Sequence, residues 1–317
     1  MNEASICRRL RKEFDKTGFT LLVYYGIMSA VVSAVMVIQM VALMFLSPDM
    51  TDAERTQALM GNGWGYILTL LIGSVILLLW KKREFCFHTI WQRNRRMTVG
   101  SFFAILSVFL SAQLFFQISA MVTEWFFNLF GLSVMESLEM ATGIGDTFSM
   151  FVYGCLLAPV FEEVLFRGLL LRNLAPYGKK FAVFATAFLF GLFHANLLQS
   201  PFAFAVGLVL GYVTVEYSMV WAVILHAINN LVLGDLLPRI TSFFQPWVGE
   251  AAFWGIICTC TVAAIVICIV KRRQILWYLL DKRIHPWCMK SFFTSVGILA
   301  FTVFMLFNIV LTLVLSA

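Results

Sequence analysis

Residues 158–174 read APVFEEVLFRGLLLRNL: two adjacent glutamates and Arg167 inside an apolar run long enough to lie in a bilayer, with Arg172 and Asn173 at its end. Arg167 follows Glu163 by four positions. On a helix that spacing stacks the two on one face with the acid N-terminal, the favourable order for an ion pair. Glu162 sits about 100° further round the same helix and is free to face a cavity. Ionisable groups at bilayer depth survive where they meet a cavity or a partner, and there they mark a functional site. The plainer reading is a structural acid–base pair that pins two helices together.

Outward from this stretch the chain stays apolar. Of its 317 residues 61% are hydrophobic and only 13% charged, with a mean hydropathy of +0.88. Soluble domains carry about 25% charged residues, so a soluble class is excluded. The net charge of +6 is not a nucleic-acid signal, because the basic residues cluster between apolar runs, where they set topology. Seven cysteines fall in basic loops or apolar runs, which gives no disulfide framework. Cys258 and Cys260 point to different helix faces and read as core or lipid-facing hydrophobes.

Apolar runs occupy about 19–46, 64–80, 99–123, 149–174, 181–199, 202–216, 219–236, 251–270 and 292–316. They predict an all-α, polytopic transmembrane bundle of eight to nine spans, 202–216 being short for a full crossing. The organisation expected is an N-terminal membrane region over 1–146, a catalytic core of four consecutive helices over 147–237, and a C-terminal region of two spans over 238–317. Trp125, Phe126, Phe127, Leu129 and Phe130 suggest a helix lying at the interface within 124–146. The segments 1–18, 81–98, 175–180 and 271–290 must share one side and all are basic, whereas 47–63 and 124–146 are acidic. The positive-inside rule then puts the N-terminus in the cytoplasm. A compact chain without a targeting extension fits an integral protein of a bacterial plasma membrane.

Four histidines are present, and two of them, His194 and His226, fall in apolar runs. With Glu162 and Glu163 they place two acids and two imidazoles on three spans within seventy residues. Phe190 precedes His194 by four positions, so its ring can pack beside the imidazole. His226 and Asn230 share a face at the same spacing and offer donors to an oxyanion. Ser149, Ser200 and Ser218 lie near span ends, and Cys155 has no base assigned to it. A base and donors without a nucleophile point to an activated water, and hydrolysis of an amide inside the membrane is the natural reaction class.

EEVLFR (162–167) fits E-E-x-x-x-R, FGLFH (190–194) fits F-x-x-x-H, and HAINN (226–230) fits H-x-x-x-N. In that order, over roughly 149–236, the chain resembles the CPBP family of CAAX-protease and bacteriocin-processing intramembrane proteases, also called the Abi family. The resemblance implies that Glu162 activates water with help from His194. It implies that Glu163, steadied by Arg167, supports the site, and that His226 and Asn230 form the oxyanion hole. A metal-free glutamate mechanism is favoured over a metal site, because a buried carboxylate suffices as base; no H-E-x-x-H is present. Glu162, His194 and His226 are the ligands if a divalent metal such as zinc is held. The partners expected are a peptide or membrane-associated protein substrate and membrane lipids, with no nucleic acid. Peptide maturation and bacteriocin self-immunity are the roles such bacterial members suggest. Two competing readings are a proton-coupled transporter, since buried Glu and His also build proton relays, and a non-catalytic immunity protein.

Overall fold

The structure, a computed structural model, describes residues 3–80, 89–135, 137–138, 147–281 and 284–315. Cys86, His88, Glu136, Glu139 and Asp146 lie outside them. The described residues form helices and no strand. In chain order these are α1 (Glu3–Leu46), α2 (Asp52–Met60), α3 (Trp64–Trp80), α4 (Val99–Asn128), α5 (Phe148–Tyr177) and α6 (Lys179–Phe193). Then come α7 (Gln199–Glu216), α8 (Met219–Thr241), α9 (Pro246–Val270), α10 (Arg272–Leu280), α11 (Pro286–Phe293) and α12 (Val296–Leu315).

Six of these are long and apolar enough to cross a membrane, α1, α4, α5, α8, α9 and α12; the pair α2–α3, bent by 45°, makes a seventh if taken as one span. The chain is therefore a multi-pass membrane protein. The other two apolar runs, α6 with 15 residues and α7 with 18, fall short of that measure and lie at the centre. No pair of helices packs more extensively than α6 and α7. Glycine permits their contact: a Cβ on Gly207 would stand 3.2 Å from Ala187 Cα, and one on Gly211 would stand 3.0 Å from Val183 Cγ1. Small residues that let backbones approach are the usual device where lipid removes the hydrophobic drive between helices. The same device joins α1 to α12, where a Cβ on Gly18 would lie 2.1 Å from the Gly297 backbone. Asp15 Oδ1 accepts the Gly297 N–H at that crossing, at 3.0 Å.

The described parts of the basic segments gather at one end of the molecule. Phe14 of α1 meets Tyr177 and Phe292 edge-on. Arg172 donates to the carbonyls of Ile90 and Gln92, and Asn94 bonds to the carbonyls of Tyr217 and Val215. Lys180 donates to the carbonyls of Tyr278 and Asp281, capping the C-terminal end of α10. Burial, reinforced by Glu216, pushes the Tyr278 hydroxyl up to about 12, so the ring beneath Lys180 stays neutral. At the other end Asn196 donates to the Ser137 carbonyl, and Leu198 packs with Ala120, Val134 and Leu138.

Three expectations change. The basic N-terminal segment and the first apolar run form one continuous helix, since residues 3–17 hold good helix formers and no glycine or proline. Trp125, Phe126 and Phe127 continue α4 instead of starting an interfacial helix. The chain turns back just beyond, where Glu124 accepts from Ser133 Oγ and from the Val134 and Met135 N–H groups. Finally, the fifth apolar run ends at Phe193, so His194 caps α6 and does not lie mid-helix. Ala195 takes φ +48°, and Asn196 Oδ1 accepts from the Leu198 and Gln199 N–H groups, which sets the turn into α7.

Candidate active site

Glu162 and Glu163 lie midway along α5, between two stretches wound as π-helix, Val152–Leu157 and Val164–Leu170. A third, Asn229–Leu236, follows His226 on α8. Such segments are rare and concentrate at functional sites. Proline accounts for two of the three. Pro159 and Pro238 lack an N–H and would press on the carbonyl four residues back in an α-turn. Each stands just after a π stretch, where the wider turn makes room. At Gly154 the consequence is local. The Ala158 N–H bonds to the Tyr153 carbonyl, and the next residue, Pro159, has no N–H to give. The Gly154 carbonyl instead accepts from Asn230 Nδ2 at 2.9 Å.

The ion pair read from the sequence is present and lies at the core. Arg167 Nη1 donates to Glu163 Oε1 at 3.0 Å, with both side chains fully buried. Arg167 Nη2 donates to the Gly207 carbonyl at 3.3 Å, and the guanidinium stands 4.2 Å from the centroid of the Phe190 ring. His226 Nδ1 donates to the same Glu163 Oε1 at 3.0 Å. A carboxylate held by a guanidinium only accepts, so this bond fixes the ring proton on Nδ1 and turns Nε2 outward. Nε2 then faces Glu162 Oε2 at 3.9 Å. That gap exceeds a direct hydrogen bond and suits one bridging water. Glu162 Oε2 has no hydrogen-bond partner among the described residues.

His194 joins this group through Phe190. Its Nδ1 donates to the Phe190 carbonyl at 2.9 Å, which leaves Nε2 unprotonated by the same logic. The Phe190 ring meets His194 edge-on at 4.8 Å and His226 at 6.0 Å. One ring therefore spaces both imidazoles and covers the guanidinium, more than the single contact its spacing predicts. Cys155 is buried with its thiol toward the Asn230 carbonyl at 3.6 Å, a packing position. Ser149 Oγ accepts the Gly63 N–H and anchors the start of α5. Among the described residues no group of three or more His, Cys, Asp or Glu is placed to hold a metal ion. Glu162 and His226 face one another at 3.9 Å, and the bond at Nδ1 of each imidazole leaves its Nε2 free, the state a metal-ligating histidine also takes.

Glu162 opens on a cavity of about 420 Å³ between α1, α3 and α5, lined by Tyr24, Tyr25, Tyr66, Tyr153, Phe161 and Phe193. Tyr66 and Tyr153 stack there at 5.0 Å. Tyr24 also lines a second cavity of about 700 Å³ that runs toward Lys16 and Asn173 at the basic end. The sequence reading missed these tyrosines, because aromatic residues in a long apolar helix carry no periodic signal that separates cavity from lipid. It also missed Gln113 and Asn229, whose amides in apolar spans were the available cue.

Residues 144–232 match the model of the family described as Type II CAAX prenyl endopeptidase Rce1-like, which places this segment, with all three motifs, in the CAAX-protease family. No curated protein and no solved structure matches the chain.

Proposed function

We propose that this chain, built around a CAAX-protease-family segment over 144–232, is an intramembrane endopeptidase that cleaves a peptide or membrane-associated protein with a water activated by Glu162. The observation that carries the reading is the arrangement Arg167–Glu163–His226–Glu162: an ionised, fully buried carboxylate orients an imidazole whose free nitrogen faces a second carboxylate at the edge of a cavity.

The water sits between Glu162 and His226 Nε2 and gives one hydrogen to each; His194, held across the Phe190 ring, is the second imidazole of the site. Glu162 takes a proton as the water oxygen bonds to the peptide carbonyl carbon. The oxyanion forms beside the Asn230 amide. The C–N bond then breaks, and Glu162 passes its proton to the departing nitrogen, giving one carboxyl and one amine. The Glu163 bond favours His226 as a holder of water over its role as an oxyanion donor beside Asn230. Arg167 and Phe190 keep Glu163 and both imidazoles in place. The protein takes its position in a bacterial plasma membrane with the basic end, and so the N-terminus, in the cytoplasm.

Purified full-length protein incubated with a proteome-derived peptide library, with and without a chelator, tests this by mass spectrometry of the products. Internal cleavage that persists in chelator is the expected result. Absence of cleavage overturns the enzymatic reading, and loss of cleavage restored by zinc overturns its metal-free part.

A further inference from the structure

Three side-chain amides run in a line from α4 into the site. Gln113 Nε2 donates to Asn229 Oδ1 at 2.9 Å. Asn229 Nδ2 donates to Asn230 Oδ1 at 3.2 Å. Asn230 Nδ2 donates to the Gly154 carbonyl at 2.9 Å. Gln113 is buried at 8% exposure, beside the apolar buried residues Phe109, Leu110 and Ala120 of the same helix. The line has a direction. Its far end is a carbonyl that can only accept, set free because Pro159 has no N–H. Each amide must therefore turn its nitrogen toward Gly154 and its oxygen toward α4. One Asn230 N–H is taken by Gly154; the other is the donor left for an oxyanion.

We infer that Gln113 is a positioning residue: through Asn229 it fixes which end of the Asn230 amide faces the site. This rests on the role proposed for Asn230. An amide is nearly symmetric in shape, so only its hydrogen-bond partners decide its orientation. Gly154 supplies one such partner and the relay supplies the other. Removing one oxyanion donor lowers kcat by about 10²–10³-fold in enzymes of known mechanism, which bounds the effect of turning one away.

Gln113→Glu keeps the shape and replaces the donor by an acceptor. Asn229 must then turn its nitrogen to the new carboxylate, which sets its oxygen against that of Asn230. Gln113→Met removes both donor and acceptor at similar length. The test measures kcat and KM on the library peptide that the wild type cleaves fastest. The expected result is a kcat at least about tenfold lower for Gln113→Glu, a smaller loss for Gln113→Met, and KM within about twofold of wild type for both. Equal kcat in wild type and Gln113→Glu overturns the inference. A readout independent of cleavage comes from thermal unfolding of Gln113→Met, Asn230→Ala and the double variant. The two side chains share no hydrogen bond, so a relay predicts non-additive shifts that become additive once Asn229 is alanine. Additive shifts with Asn229 present overturn the inference even if the wild type cleaves nothing, the outcome that would overturn the proposed function.

Discussion

At the scale of single residues, Arg167 decides whether the site exists. Among the described residues it is the largest fully buried side chain, and it neutralises Glu163 while touching Gly207 and Phe190. Removing one partner of a buried pair leaves an uncompensated charge and costs about 3–5 kcal/mol. Arg167→Met is therefore expected to lower the thermal unfolding temperature sharply, and a Tm equal to wild type would contradict this account of the core. Phe190 contributes differently, as a spacer. Phe190→Ala opens a cavity beside Arg167 and both imidazoles, with a cost of about 3–5 kcal/mol. Phe190→Leu, which retains more of the volume, is expected to keep most of the stability and lose cleavage; full activity in a stable Phe190→Leu protein would show that the ring does not position the histidines. The Glu163–Arg167 pair and the Phe190–His194 contact were legible as i,i+4 spacings. The bond from His226 to Glu163 was not, because it joins α8 to α5 and no local rule sets the rotation of one helix against another.

At the scale of elements, the long apolar runs were legible and their interruptions were not. Hydropathy marks where a helix can lie in lipid, whereas the end of α6 at Phe193 is set by polar detail, the turn at Ala195 and the Asn196 side chain. The π stretches around Glu162 and after His226 trace in part to Pro159 and Pro238, a cue that the sequence contained and periodicity averages away. Element contacts also rest on glycines that hydropathy treats as neutral. The α1–α12 crossing has no space for a Cβ at Gly18 or Gly297. Gly18→Ala is expected to push the two helices apart at about 1–3 kcal/mol, seen as a lower Tm in detergent with the helical circular-dichroism signal retained. An unchanged Tm would show that this crossing is looser than the backbone contact implies.

At the scale of the whole molecule, basic segments that are far apart along the chain meet in space, with Arg172 and Lys180 beside Phe14 and Tyr278 at one end. An epitope inserted after Phe243, between α8 and α9, is expected to bind antibody on intact cells. One inserted after Lys271, between α9 and α10, is expected to bind only after permeabilisation. The reverse pattern would invert the proposed orientation. Burial explains why the site sits where it does: the short α6–α7 pair holds the centre, and α1, α3 and α5 leave a tyrosine-lined cavity that reaches Glu162. The measurement closest to the central claim compares peptide cleavage by wild-type and Glu162→Gln protein, both purified into lipid nanodiscs and matched for Tm. Loss of a general base predicts a rate lower by about 10²–10⁴-fold in the variant. A Glu162→Gln protein that cleaves at the wild-type rate would contradict it.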